Sequence, residues 1–433
     1  MFKRFFYRVF SQRRDSGEND GKPPSVSTST SSLRNNSKIH ALAVTFIIFL
    51  FIGLIKLVTF QLHFFDPFNN GVKDYEVTDI IYARLRDTTR VKREARIVLI
   101  HVDKPDRASL ANLLDRINAQ SPRAIGLDIL FAGQRDAVGD SLLSRRLQEI
   151  PNVVLAGNLA QYQDSLKGIP NMKLSEPAFS DYGVNAYTNF LAGTDRTVRL
   201  FSPTITTLNG KENKAFAVAL AEQYDASAGN RLLQRKKKVE RINYFGDYRS
   251  FIRLNAASLQ DAPEEALAVC KDRIVMIGFV ANNDPGAPIE DRYFTPLNPV
   301  YTGRSIPDMY GMVIHANILT MILNGNYIYE LPKWIVTIMV WLFGYINVLI
   351  IRRIYLGLPD IFHGVTRILQ IVELTIFFFF IALIFYYLRI LIDFSNGFLA
   401  LMLAYDILMI YESFLKKRIP IIKTLTHEKD PTN

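Results

Sequence analysis

Four apolar runs set the terms for this chain. Residues 41–60, 334–351, 368–387 and 396–415 are almost wholly apolar. About twenty helical residues, at ~1.5 Å each, cross the ~30 Å hydrocarbon core of a bilayer. Backbone inside lipid must satisfy its own hydrogen bonds, so each run is predicted to be a membrane-spanning helix. Between the first and second runs lies a mixed stretch, 61–331, long enough to bury a core of its own. The predicted organisation is a head at 1–40, a membrane anchor at 41–60, a large domain at 61–331, three spans within 332–415 and a tail at 416–433.

Charge orients these pieces. The formal net charge is +10, but the excess is clustered at Lys3, Arg4, Arg8, Arg13 and Arg14, at Arg352 and Arg353, and at Lys416, Lys417 and Arg418. Basic residues gather on the cytoplasmic side of spans, so both termini are expected inside and 61–331 outside. The same clustering argues against nucleic-acid binding, because the central stretch is close to balanced. Residues 15–37 of the head are rich in Ser, Thr, Asn and Gly and are expected to be disordered, whereas the aromatic and basic residues 2–10 suit an anionic membrane surface. No small-x-small cleavage site follows the first run, which therefore reads as an uncleaved anchor. Lys56 lies near its exit end, where the ammonium can reach the headgroups. Cys270 is the single cysteine, so no internal disulfide holds the domain. The tail is too short for a cytoplasmic output module.

Within 61–331, short β-branched runs alternate with helical spacing. Residues 97–103, 124–130 and 152–156 read as strands, 108–117 and 142–147 as helices. Later come strands at 197–201, 241–245 and 273–278, and helices at 215–224 and 312–323. Strand–helix–strand alternation predicts an α/β domain with a mostly parallel sheet.

Candidate chemistry is sparse. Asp103 ends the first strand and Asp128 stands near the end of the second. If those strands are neighbours, both carboxylates lie at the carboxyl edge of the sheet, where open α/β sheets place ligands. There they could bind a cation or share a proton; the alternative is that each caps the following turn. Asp140 is expected to cap a helix. His101 and Asp103 share a strand face but do not make a metal site. Residues 193–199 read as a turn and strand whose arginines could meet an anion or simply pair on the surface. No phosphate-binding glycine loop, zinc-binding HExxH or GxSxG elbow is present, so no cofactor, metal or catalytic residue is assigned. Glu373 and Asp406 fall inside predicted spans, where carboxylates are costly without a partner. Glu373 is about five residues from the cytoplasmic end of its span, close enough to reach the headgroups. For Asp406, nearer the middle, helix packing is the expected role, since no further polar relay is evident.

Several of these runs, in order, resemble one family. They are Asp79–Arg84 with the sequence DIIYAR, IVLIHVD at 97–103, AIGLDILF at 124–131, NVVLA at 152–156, DRTVR at 195–199, IVMIG at 274–278, Asp291 with Thr295 and Pro296, and GMVIHAN at 311–317. This set, with one span before and three after, resembles the CHASE type 2 extracellular sensor domain of bacterial signalling proteins. Arg196 stands where that family usually has glycine. The resemblance implies an extracytoplasmic sensor in a bacterial inner membrane, normally followed by a kinase, cyclase or similar output. With the readings above it leaves Asp103, Asp128, Arg199 and Asp291 as ligand-binding candidates, and Gly311, His315, Asn317 and the intramembrane Glu373 and Asp406 as structural or relay candidates.

The expected function is thus a membrane-anchored sensor subunit, not an enzyme. It would relay an unknown signal through its spans to a separate signalling or envelope protein, with a homo-oligomer as a further expectation. Two alternatives stand beside it: a structural subunit of an envelope complex, and an exported enzyme using Asp103 and Asp128.

Overall fold

A computed structural model of the protein describes residues 29–61, 79, 81–82, 93–165, 167–192, 197–280, 291–298, 306–357 and 362–415. The basic head, the run at 416–418, the turn at 193–196 and most of the DIIYAR segment lie outside the described residues. The chain divides into two units, Asn69–Ile328 on one side and Met1–Phe68 with Tyr329–Asn433 on the other.

The second of these holds four helices long and apolar enough to cross a membrane: Lys38–Leu57, Lys333–Gly357, His363–Leu388 and Ser395–Leu415. The first packs against the second and fourth. Ala41, Val44, Ile48 and Ile52 recur at helical spacing and are buried against Val348, Ile351, Ala404, Leu408 and Tyr411. Small alanines let the backbones approach, so dispersion contacts replace the hydrophobic drive that lipid cannot supply. A second cluster joins Val336, Val340, Ile381, Phe394 and Leu401.

In the other unit, β1 (Glu94–His101) is buried along its centre on both faces, which explains its unbroken IVLI run. It leads through α1 (Arg107–Ala119) to β2 (Ala124–Leu127), and through α2 (Ala137–Glu149) to β3 (Val153–Leu159). Asp106 caps α1 by accepting the Ser109 N–H at 2.8 Å. Asp136, not Asp140, caps α2, because that helix begins at 137, ahead of its apolar run. Asp140 instead accepts from the buried Arg107 guanidinium at 2.5 Å. β4 (Met172–Lys173) is antiparallel to β3 and β5 (Val184–Tyr187) is parallel to it.

Beyond α3 (Phe216–Tyr224), the chain returns to the sheet twice. β6 (Phe251–Asn255) adds an edge strand beside β1, and β7 (Ile274–Gly278) inserts between β1 and β2. The order β6-β1-β7-β2-β3-β5 is parallel throughout, with β4 the antiparallel exception. One sheet face buries Val98, Ile100, Ile125, Leu127 and Ile277 under Leu110, Leu114, Leu143 and Leu147. The other carries α3, packed closely enough that a Cβ at Gly126 would lie 2.9 Å from Leu220 and Phe216.

Alongside α3 runs α4 (Gly311–Asn324), buried over most of its length and ended by Gly325 in the left-handed conformation at φ 61°. The strand expected over 241–245 is confined to Glu240–Arg241. Ile242 still donates to the Arg199 carbonyl at 2.9 Å, but at 245 and 246 a side chain replaces a strand partner: Asn317 Oδ1 accepts the Phe245 and Gly246 N–H groups at 2.7 and 2.9 Å.

Candidate functional site

The carboxyl ends of the parallel strands carry the candidate chemistry, but the strand order separates the two expected carboxylates. β7 lies between β1 and β2, so Asp103 and Asp128 do not share a strand pair. A strand from far along the chain took the intervening place, which the spacing within 97–130 could not announce.

Asp103 faces a cavity of about 360 Å³ between the ends of β1 and β6. His101, Lys104, Ser109, Asn255 and Gln260 also line it. The His101 imidazole accepts the Val280 N–H through Nδ1 at 3.1 Å. Burial pushes its pKa down, against the opposing pull of Asp103.

Asp128 meets a different acid. It follows β2 directly, and its N–H donates to the Ile277 carbonyl at 2.9 Å. Gly278 accommodates this crowding: a Cβ there would lie 3.0 Å from both the Asp128 Cβ and the Met312 sulfur. The Asp291 carboxylate overhangs Gly311, the residue before Met312 at the start of α4. Both of its oxygens would be 3.2 Å from a Cβ on that glycine. The Asp291 carbonyl also accepts the Gly311 N–H at 3.1 Å, and Asp291 has φ 62°, a left-handed backbone that aspartate tolerates better than most residues.

Burial raises the Asp128 carboxyl to about 7, with repulsion from Asp291 adding to it. Burial also raises Asp291, although the Tyr293 hydroxyl and the Gly311 N–H partly stabilise its charge. Tyr293 is in turn pushed up to about 12 by burial and by the two carboxylates. Among the described residues no cation pairs with either acid. The neighbouring Arg292 stacks on the Tyr310 ring at 4.6 Å and donates to its hydroxyl at 2.8 Å. Two acids of this kind can share a proton or attract a positively charged group.

The remaining candidates serve other arrangements. Arg199 makes a two-pronged ion pair with Asp79, Nε to Oδ1 at 3.1 Å and a terminal nitrogen to Oδ2 at 2.6 Å, with both side chains buried. His315 lies against Phe190, ring centroids 4.5 Å apart, and is only 3% exposed. Burial pushes its pKa down to about 3, so it is neutral at physiological pH. Asn317 is fully buried and fastens α4 to residues 245–246, donating to the Gly246 carbonyl at 2.9 Å as well as accepting from that segment.

In the membrane unit, Asp406 accepts from Arg367 at 2.8 Å and Glu373 accepts from Asn347. Gln370 donates to the Leu401 carbonyl at 3.0 Å, and His363 hydrogen-bonds Tyr405. His363, Arg367, Gln370 and Glu373 thus form a polar seam at helical spacing along the third helix, so the expectation that no further polar residues surround the membrane acids does not hold.

No group of three or more His, Cys, Asp or Glu among the described residues could hold a metal ion. Asp291 and Gly311 were legible as motif members, but Tyr293 and Phe190 were not singled out, because nothing local marks an aromatic that closes over a distant strand end.

Comparison with known proteins gives a family and no individual relative. No curated protein matches the chain, and no solved structure does. The CHASE2 domain model matches residues 42–351, from inside the first membrane helix, through the whole α/β unit, into the second membrane helix. On that match the chain belongs to the CHASE2 family of extracellular sensory domains.

Proposed function

We propose that this protein is the sensory subunit of a bacterial inner-membrane signalling assembly, with residues 61–331 outside the cytoplasm and both termini inside. The family match carries the reading, because it covers the α/β unit together with membrane helix on either side of it. Detection is assigned to the carboxyl edge of the sheet. There Asp128 and Asp291 lie at the start of α4 without a cation among the described residues. The nearby Asp103 cavity offers a second place for a small polar ligand.

A signal changes the spans only if it prefers one of two arrangements of the domain. Residues 325–332 connect α4 to the second membrane helix along the chain, which makes α4 the natural carrier. The receiver is a separate protein bound to the membrane helices, in an assembly that includes a second copy of this chain.

Two measurements test this. In a Cys270→Ser background, single cysteines at Tyr162 and Asn433 are treated in intact cells with a membrane-impermeant maleimide. Position 162 should label and position 433 should not; the reverse would overturn the orientation. Affinity purification from native membranes should bring down a kinase, cyclase or comparable regulator in near-equal amount. Stoichiometric envelope or secretion components instead would make the domain an assembly surface. The exported-enzyme reading loses support from the geometry, since β7 separates Asp103 from Asp128.

A further inference from the structure

Glu373 and Asn347 belong to neighbouring membrane helices and are already joined by one hydrogen bond, from Asn347 Nδ2 to Glu373 Oε2. Asn347 is 1% exposed, and its Oδ1 has no donor among the described residues. The arrangement therefore contains two unmet needs. An amide oxygen lacks a hydrogen bond, and a carboxyl group inside a helix bundle lacks a counter-charge. Among the described residues no cation pairs with Glu373: Arg367 meets Asp406 at 2.8 Å and Arg352 meets Glu412 at 3.0 Å. His363 faces Tyr405.

An ionised carboxylate cannot satisfy Asn347 Oδ1, because its own oxygens, like that amide oxygen, are acceptors only. A proton resolves both needs at once. It removes the charge, and it turns one carboxyl oxygen into a donor. We infer that Glu373 is protonated in the folded bundle and closes a two-bonded acid–amide ring with Asn347, latching the second membrane helix to the third. In that ring, Asn347 Nδ2–H donates to one carboxyl oxygen and the Glu373 O–H donates to Asn347 Oδ1.

The surroundings suit a neutral pair. Four residues along each helix, Phe343 and Phe377 meet edge to face at 4.8 Å, and Phe377 packs on Phe394 at 4.6 Å. This aromatic contact closes one end of the pair with apolar surface, where a neutral ring is favoured over an ion. Gln370, on the other side of Glu373, is committed to the Leu401 backbone. The inference concerns the membrane helices alone and does not depend on the sensory reading.

Infrared spectroscopy of the full-length protein in lipid nanodiscs at neutral pH provides the test. Subtracting the spectrum of Glu373→Gln from that of the wild type should leave a protonated carboxylic-acid carbonyl band that shifts on deuteration. Spectra without that difference would overturn the proposal. If Glu373→Gln does not assemble, Asn347→Leu replaces it. Loss of the amide partner should move the acid band to higher frequency, and an unmoved band would overturn the proposal equally. Thermal melting gives an independent reading. Glu373→Gln should melt with the wild type, because its amide N–H stands in for the acid O–H, whereas Glu373→Ala should melt earlier. A Glu373→Gln variant as unstable as Glu373→Ala would mean that the ionised form was the favoured one.

Discussion

Asp79 and Asp128 are two shielded aspartates in the same α/β unit, and the fold treats them in opposite ways. Asp79 receives both prongs of the buried Arg199 guanidinium. Asp128 receives no cation among the described residues and faces a second acid, Asp291. The first arrangement fixes one structure, since removing either partner strands a charge in a low-dielectric interior. The second leaves the structure responsive, since whatever neutralises the acids changes the energy of that sheet edge. The two aspartates thus differ in what stands opposite them, not in residue type.

The comparison is open to breaking at several points. The largest effect is expected at the paired site. Arg199→Met should lower unfolding stability by ~3–5 kcal/mol, because Asp79 is left buried and charged. The double variant Asp79→Leu with Arg199→Met should recover much of that loss in denaturant melts, and failure to recover would assign the cost to lost packing.

At the unpaired site the effect is pH-dependent. Burial raises Asp128 from 3.8 to about 7. The folded state therefore holds a proton that the unfolded chain releases. That contribution is complete below about pH 4 and is lost as pH rises through about 7, on the order of 2–4 kcal/mol in total. Asp128→Asn should flatten this profile and melt above the wild type at pH 8. A variant no more stable than wild type at that pH would show that Asp128 has an undetected positive partner.

Smaller effects sharpen the contrast. Gly278→Ala brings a Cβ to 3.0 Å from the Asp128 Cβ and the Met312 sulfur. It should cost ~1–3 kcal/mol through overpacking, with an altered pH midpoint that separates it from an ordinary core insertion. Asp106→Ala removes the α1 cap beside the Asp103 cavity and should cost ~1 kcal/mol, leaving the Asp128 titration unmoved. A changed titration would indicate that the two parts of the sheet edge are coupled.

Much of the architecture was readable because the relevant signals are local. The apolar run at 97–100 and the spacing of Leu110, Leu113, Leu114 and Ile117 identify β1 and α1 without knowledge of their neighbours. The edge strand β6 escaped notice because FIRLN is short and half exposed, and Arg253 breaks up its apolar Phe, Ile and Leu. The α2 cap was placed four residues late because Leu142 marks the apolar face, not the helix start.

The sequence by itself determined that the chain carries four membrane-length apolar helices, that a mostly parallel α/β unit lies between the first two, and that its acids fall at strand ends. Those properties follow from hydropathy and periodicity, which are carried by neighbouring residues. Only the tertiary structure decided which acid stands beside which. Residues 274–278 enter the sheet between strands formed much earlier in the chain, setting Asp128 against Asp291 and leaving Asp103 at its own cavity. Strand order is settled by packing of whole layers, so no local pattern in β1 or β2 records the strand that separates them.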